Sequence, residues 1–296
     1  MSFMNYIVAL FFFGLFLVSF LFTSGVALFF NLVAFVIVIS GTLSATFISY
    51  PVSDIRAAFI VALNSYRRKP PAEYEIIDLL LEIAVRSRRH DILALEKVEE
   101  QITVSFLRSA LGMLVDGYKA EELQDVLATE MHYFRQRRAQ QTKLFRYMAQ
   151  LAPAFGIIGT VIGLIGMLSG IGDPDVILRT IPVALTSTLY GLMLGNFLFT
   201  PIAENISAKT AKEFMLQTLI SEGVMAINQN QHNTIKLTRK LESFLTPSRR
   251  SHPSQSLQEI RDRYQALRSQ DNDLNQDEVQ PKSPAGAEPN EAQSSV

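Results

Sequence analysis

The chain reads as an all-α membrane protein on three observations. No Asp, Glu, Lys or Arg occurs from Met1 to Ser53, and the stretches Tyr147–Gly172 and Thr180–Ala203 are equally free of charge. A helix crossing the hydrocarbon core of a bilayer needs about 20 predominantly apolar residues, so the first window holds two spans and the other two hold one each. Between these windows the apolar residues recur at helical intervals, as in Ile76, Ile77, Leu80, Ile83 and Ala84, a spacing that lines one helix face. The predicted fold is therefore four transmembrane helices, with a helical cytoplasmic domain between spans 2 and 3 and a helical cytoplasmic extension after span 4.

Residues 1–50 form the first transmembrane hairpin, with spans near 6–22 and 27–49 divided at Thr23-Ser24-Gly25 and closed by Pro51. A cleavable signal peptide would carry a basic n-region and a small-residue cleavage site; here a second apolar run follows at once, and cleavage is not expected. Residues 51–146 form the cytoplasmic helical domain, with few breakers besides Pro70-Pro71 and Gly117. Its segment EYEIIDLLLEIAVRSRR is an amphipathic helix. Asp91 is placed to cap the next helix, which ends where Gly117 can take the left-handed conformation of a C-cap. Ala120–Arg146 continues as a charged helix into the third span.

Residues 147–203 form the second hairpin, with spans near 147–170 and 177–202. Residues 204–246 extend the fourth span as an amphipathic helix stopped by Pro247, and the polar tail 247–296 lacks the apolar residues to fold alone. Four crossings return the chain to its starting side, so 54–146 and everything after Glu204 share one compartment. Both are rich in Lys and Arg, whereas the loop GIGDPDVILR has two aspartates and one arginine. The positive-inside rule then places both termini in the cytoplasm of a multi-pass inner-membrane protein.

The formal net charge of −1 hides this segregation, and the absence of cysteine excludes disulfides and thiolate metal sites. The four histidines stand singly, and no nucleophile–base set, phosphate loop or metal-ligand spacing occurs. Neither an enzyme, a cofactor, a fixed metal nor a nucleic-acid partner is expected; the membrane lipid is the evident surrounding.

In the third span, QLAPAFGIIGTVIGLIGMLSG, Gly156, Gly159, Gly163, Gly166 and Gly170 stand where each would cost a soluble helix about 1 kcal/mol relative to alanine. In lipid such glycines let helices approach closely, which is the role assigned to Gly156, Gly159 and Gly163. Thr160 is the polar exception, and Pro153 lies two turns before it on the same face. In the fourth span Thr188 shares a face with Gly191 and Gly195, with Ser187 beside it. A membrane threonine commonly bonds the carbonyl one turn earlier on its own helix, so each hydroxyl has that reading beside the functional one. Pro153 and Pro201 remove an N–H and free a carbonyl, which reads as a hinge or as simple termination.

Tyrosine is the only titratable side-chain type in the three uncharged stretches. A bare cation in a low-dielectric core is very costly, so ions crossing here require an acid from a partner. In the cytoplasmic domain Arg88, Arg89 and Glu96 group with Asp91 and Glu99; such a run is ordinarily a solvated face, and it also suits steering of a charged partner.

The segments LAPAFGIIGTVIGLIGMLSG, GDP and VALTSTLYGLMLGNFLFTPIA, with LALE and LVDG between spans 2 and 3, closely resemble the MotA/PomA family of flagellar stator subunits, related to ExbB/TolQ. The resemblance runs from about Ala27 to Leu245. It implies a homo-pentamer around a MotB/PomB-type single-span, peptidoglycan-binding partner whose transmembrane aspartate carries the coupling ion. It further implies hinge and gating roles for Pro153 and Pro201, and rotor contact at the flagellar switch ring for Arg88, Arg89 and Glu96. Thr160 and Thr188 match threonines of sodium-driven members, so transient Na+ is favoured over H+; Asn31 departs from an aspartate those members tend to carry, and HNTIK replaces an NPR-type segment. The alternatives are a non-flagellar rotary motor or an ExbB/TolQ-type energiser using proton flow, the latter with three spans and no first hairpin.

Overall fold

The computed structural model describes residues 3–22, 29–67, 70–89, 104–229 and 234–245, whose regular structure is entirely helical. In chain order the helices are α1 (Phe3–Leu21), α2 (Leu32–Ser49), α3 (Val52–Arg67), α4 (Glu73–Arg89), α5 (Ser105–Val115), α6 (Ala120–Ser169) and α7 (Pro174–Met193). A π-helical turn, Leu194–Phe199, then leads into α8 (Thr200–Asn228), and α9 (Thr234–Glu242) follows. Among the described residues, three helical stretches are long and apolar enough to cross a membrane: Leu32–Ser49, Ala120–Ser169 and Pro174–Asn228. α1 adds 19 residues without a charged side chain.

The chain divides into two compact units, 1–70 with 128–215 and 71–127 with 216–296. In the first unit α2 starts five residues later than the sequence predicts. Asn31 sets this boundary: its side chain accepts the Ala34 N–H at 3.0 Å, an N-cap that satisfies one orphan donor of the first turn. α2 ends as expected, because Tyr50 precedes Pro51 and is driven into extended backbone, φ −133° and ψ 140°. One face of α2 buries Ala34, Val38, Thr42 and Thr46 at four-residue spacing, and both threonine hydroxyls donate to carbonyls one turn back at 2.7 Å. Around α3 the core gathers Ile55, Ala58 and Ala62 with Leu144, Phe145 and Met148 of α6 and Ala203 and Ile206 of α8. Phe145 is fully buried, edge-on to Phe59.

A polar cluster sits beside this core. Ser65 donates to the Asn205 side chain, and Lys209 Nζ donates to the Ser65 carbonyl. That carbonyl belongs to the last turn of α3, where helical donors run out, so a lysine of α8 caps α3. Burial pushes the Lys209 ammonium below its ordinary range, and nearby Glu213 opposes the shift.

In the second unit the face predicted for EYEIIDLLLEIAVRSRR is the buried one: Ile76, Ile77, Leu80, Ile83 and Ala84 are all at most 5% exposed. Leu107 and Leu111 of α5 and Leu219, Ile220 and Val224 of α8 are buried as well. A Cβ on Gly223 would lie 2.6 Å from Leu80, so α4 and α8 meet closely there. Gly117 takes φ +78°, and the Tyr118 N–H reaches the Met113 carbonyl at 3.1 Å while the Gly117 N–H reaches Leu114 at 3.2 Å. This is a Schellman cap, the left-handed end expected from the sequence. α6 opens with Glu122 accepting the Lys119 N–H at 3.2 Å, the return half of a capping box. Asp91 as an N-cap, the residues 90–103 and the tail 247–296 lie outside the described residues.

Candidate ion-pathway site

The glycines of α6 and α7 bring two backbones into contact. An added Cβ would stand 2.9 Å from the Ser187 carbonyl at Gly156, 2.5 Å from the Ser187 Cβ at Gly159 and 2.7 Å from Ala184 at Gly163. From the other side it would stand 2.5 Å from the Ala152 carbonyl at Gly191 and 2.7 Å from the Ala149 carbonyl at Gly195. Real Cβ atoms do not approach so near, so hydrogen alone fits along this seam. Such close approach is how small residues join helices in lipid.

Thr160 and Thr188 meet across the seam, their hydroxyls hydrogen-bonded to each other. Thr160 also lies 3.2 Å from the Gly156 carbonyl on its own helix and 3.0 Å from the Ala184 carbonyl on α7. A hydroxyl has one proton and two acceptor lone pairs, so Thr160 serves one of these acceptors at a time. When it donates to a carbonyl, Thr188 donates to Thr160, and lone pairs remain on both oxygens. The local back-bond anticipated from sequence is therefore present, together with a cross-helix bond that sequence does not specify. Ser187 is fully buried and donates to the Ala184 carbonyl at 2.9 Å. Ala184 O thus collects two hydroxyl groups from different helices.

The prolines do not end their helices. Pro153 lies inside the 50-residue α6, and its missing N–H leaves the Ala149 carbonyl without its usual donor. That carbonyl faces Gly195, where the Pro153 ring also packs. Pro201 follows the π turn within a continuous helical path. The Thr200 N–H and hydroxyl both go to the Gly195 carbonyl, the hydroxyl at 2.8 Å, which is the five-residue register of a π turn. Phe197, in that turn, stacks on Phe16 of α1 at 5.3 Å between centroids.

Tyr190 is a functional candidate that the sequence reading passed over. Its hydroxyl accepts the Asn31 N–H at 2.9 Å and donates to the Phe29 carbonyl, tying the start of α2 to α7. Asn31 therefore acts here through its backbone and as a helix cap. No periodicity signals this link, since the partners are 159 residues apart.

Arg88 and Arg89 occupy the last turn of α4, and Glu96 lies outside the described residues. Among the described residues no group of three or more His, Cys, Asp or Glu side chains gathers as a metal site.

Residues 98–218 match the MotA/TolQ/ExbB proton channel family. The chain is 33% identical to motility protein A of Borreliella burgdorferi over 83% of its own length and 94% of that protein. It is 30% identical to the chemotaxis protein PomA of Vibrio alginolyticus, covering 76% of this chain and 88% of the relative. Its fold matches the flagellar MotAB stator complex of Bacillus subtilis with a TM-score of 0.73 and 29% identity, over 83% of this chain and 96% of the other. Ion-channel subunits, not enzymes, make up the family, and these findings together assign the chain to the MotA/TolQ/ExbB proton channel family.

Proposed function

We propose that the chain is a flagellar motor stator subunit in which cation flow, sodium in preference to protons, drives torque on the rotor. The observation that carries the reading is the hydroxyl pair Thr160–Thr188, set in a glycine seam of a chain with no carboxylate in its uncharged runs. A stator relative named for MotAB, and motility relatives over most of the chain, support a MotB/PomB-type partner that brings the acid. The four spans are α1, α2, the second half of α6, and α7 continued through the π turn. Both termini and the residues 51–146 and 204–246 lie in the cytoplasm at the inner membrane.

In this mechanism the ion travels from bulk water to the partner's carboxylate, and the oxygens of Thr160 and Thr188 replace part of its hydration shell. The Ser187 hydroxyl, buried on Ala184 O, helps fix the α7 carbonyl that Thr160 also reaches. Pro153 and Pro201 supply the places where α6 and α7 yield as the ion loads and leaves. A homo-pentamer turns around the anchored partner, and Arg88, Arg89 and Glu96 pass the torque to the switch ring. Each elementary charge crossing 100 mV supplies about 2.3 kcal/mol.

The test is motor speed against external sodium at fixed proton-motive force. Speed should rise with sodium, and Thr160→Ala with Thr188→Ala should move the half-maximal sodium concentration upward about tenfold, the worth of one good polar contact. Unchanged speed in the absence of sodium would favour proton coupling, the reading that Asn31 as a neutral cap and the family's proton-channel description support. Charge reversal at Arg88, Arg89 and Glu96 tests the rotor face: torque should fall while membrane assembly persists, and intact torque would leave these residues as a solvated surface. Speed tethered to a rotor also separates this reading from a non-flagellar motor or an ExbB/TolQ-type energiser.

A further inference from the structure

We propose that the cleft between α6 and α8 binds the phosphate of an anionic phospholipid headgroup from the cytoplasmic leaflet, a placement that rests on the orientation given above. The cleft encloses about 460 Å³ and carries Arg135, Arg138, Lys143 and Arg146 from α6 and Ser207 from α8. Four cations in one cleft need explanation, and two have it. Arg138 pairs with Glu213 at 3.1 Å and Arg146 with Glu204 at 2.9 Å, which fastens α6 to α8 and cancels two charges. Lys143 has no hydrogen-bond or ion-pair partner among the described residues, and Arg135 lies over the Phe214 ring at 5.4 Å without a carboxylate. The cleft thus keeps two positive charges uncommitted. The Ser207 hydroxyl, likewise unbonded among the described residues, adds a neutral donor on the opposite wall.

Position selects the ligand. The uncharged runs begin at Tyr147 and end at Ala203, so Lys143 and Ser207 stand four residues outside them, about 6 Å along a helix. The headgroup zone extends roughly 5–8 Å beyond the hydrocarbon on each side. A phosphate held by Lys143 and Ser207 leaves its acyl chains beside the apolar walls of α6 and α7, and Arg135, about 12 Å farther out along α6, lies past the headgroup and adds longer-range attraction. Basic pockets between membrane helices on the cytoplasmic side suit anionic headgroups for this reason. A soluble phosphate lacks that apolar anchorage.

The test uses the full chain purified with its partner, with bound lipid counted by native mass spectrometry. Lys143→Gln and Arg135→Gln remove the uncommitted charges without stranding Glu213 or Glu204. Wild type should retain phosphatidylglycerol over phosphatidylcholine, and the double variant should lose that preference by at least about fivefold, the effect of one charge at the headgroup. Equal phosphatidylglycerol retention in wild type and variant would overturn the proposal. Displacement of the lipid by millimolar inorganic phosphate would assign the cleft to a free anion, and protection of the cleft by a neighbouring subunit with no lipid retained would assign it to a second copy; either overturns it. Orientation is read separately: the chain has no cysteine, so Lys143→Cys reacts uniquely with an impermeant thiol reagent. Reaction only after lysis supports the leaflet, and reaction from outside overturns the orientation while lipid retention alone judges the cleft.

Discussion

Lys209 shows what a single partly buried charge does in this fold. Burial lowers its affinity for a proton, Glu213 partly restores it, and its Nζ caps the last turn of α3 at Ser65. A lysine whose folded pKa lies below its unfolded value of 10.5 binds fewer protons in the fold. Between the folded value and 10.5 the unfolded chain therefore holds the extra proton, and stability rises with pH through that window. Thermal unfolding of the detergent-solubilised protein from neutral pH toward 10.5 should show a midpoint that rises more steeply in wild type than in Lys209→Met; equal slopes would remove Lys209 as the cause. Sequence reveals none of this, because Lys209 sits in an ordinary charged helix and its partner, Ser65, lies 144 residues away. The sequence marks Thr160 and Thr188 as polar residues of their faces, yet their mutual hydrogen bond depends on how far α6 and α7 slide past each other, which residue types do not encode.

At the level of elements, local chemistry was the legible part. The buried face of α4 follows from apolar period, the end of α2 from Pro51, and the end of α5 from Gly117 at φ +78°. The start of α2 was not legible, because Asn31 is one polar residue in an uncharged run and its capping role appears only once the helix axis is set. Nor was the π turn, since Pro201 reads equally as a terminator, and only the Gly195 carbonyl, shared by two donors of Thr200, shows the chain continuing. The glycine seam offers a sharp contrast for measurement. Gly191→Ala drives a Cβ to 2.5 Å from a backbone carbonyl that cannot rotate away, whereas Gly14 in α1 has nothing within 4 Å. Gly191→Ala should destabilise by about 1–3 kcal/mol, the range of overpacking, and Gly14→Ala should be neutral or gain up to about 1 kcal/mol of helix propensity. Thermal unfolding of the two variants side by side checks this, and equal shifts would mean that the α6–α7 contact has room to relax.

For the whole molecule, the informative fact is a chemical omission. Three described helical stretches are long and apolar enough to cross a membrane, and the uncharged runs hold hydroxyls, amides and tyrosines but no acid. Hydroxyl oxygens are weak substitutes for water around a cation, and transfer of an uncompensated ion into a low-dielectric core costs far more than a few such contacts return. The Thr160–Thr188 pair has lone pairs to offer but no negative charge, so under the proposed function a pathway built from this chain alone lacks the charge that offsets a cation's desolvation. Reconstituted by itself into liposomes, the protein should show no sodium or proton flux above protein-free vesicles under an applied potential. Co-reconstituted with a single-span partner carrying an intramembrane aspartate, it should conduct, and replacing that aspartate with asparagine should return flux to background while the complex stays assembled. Flux through the chain alone would mean that backbone carbonyls freed at Pro153 and Pro201 complete a pathway without an acid, and would overturn the dependence on a partner.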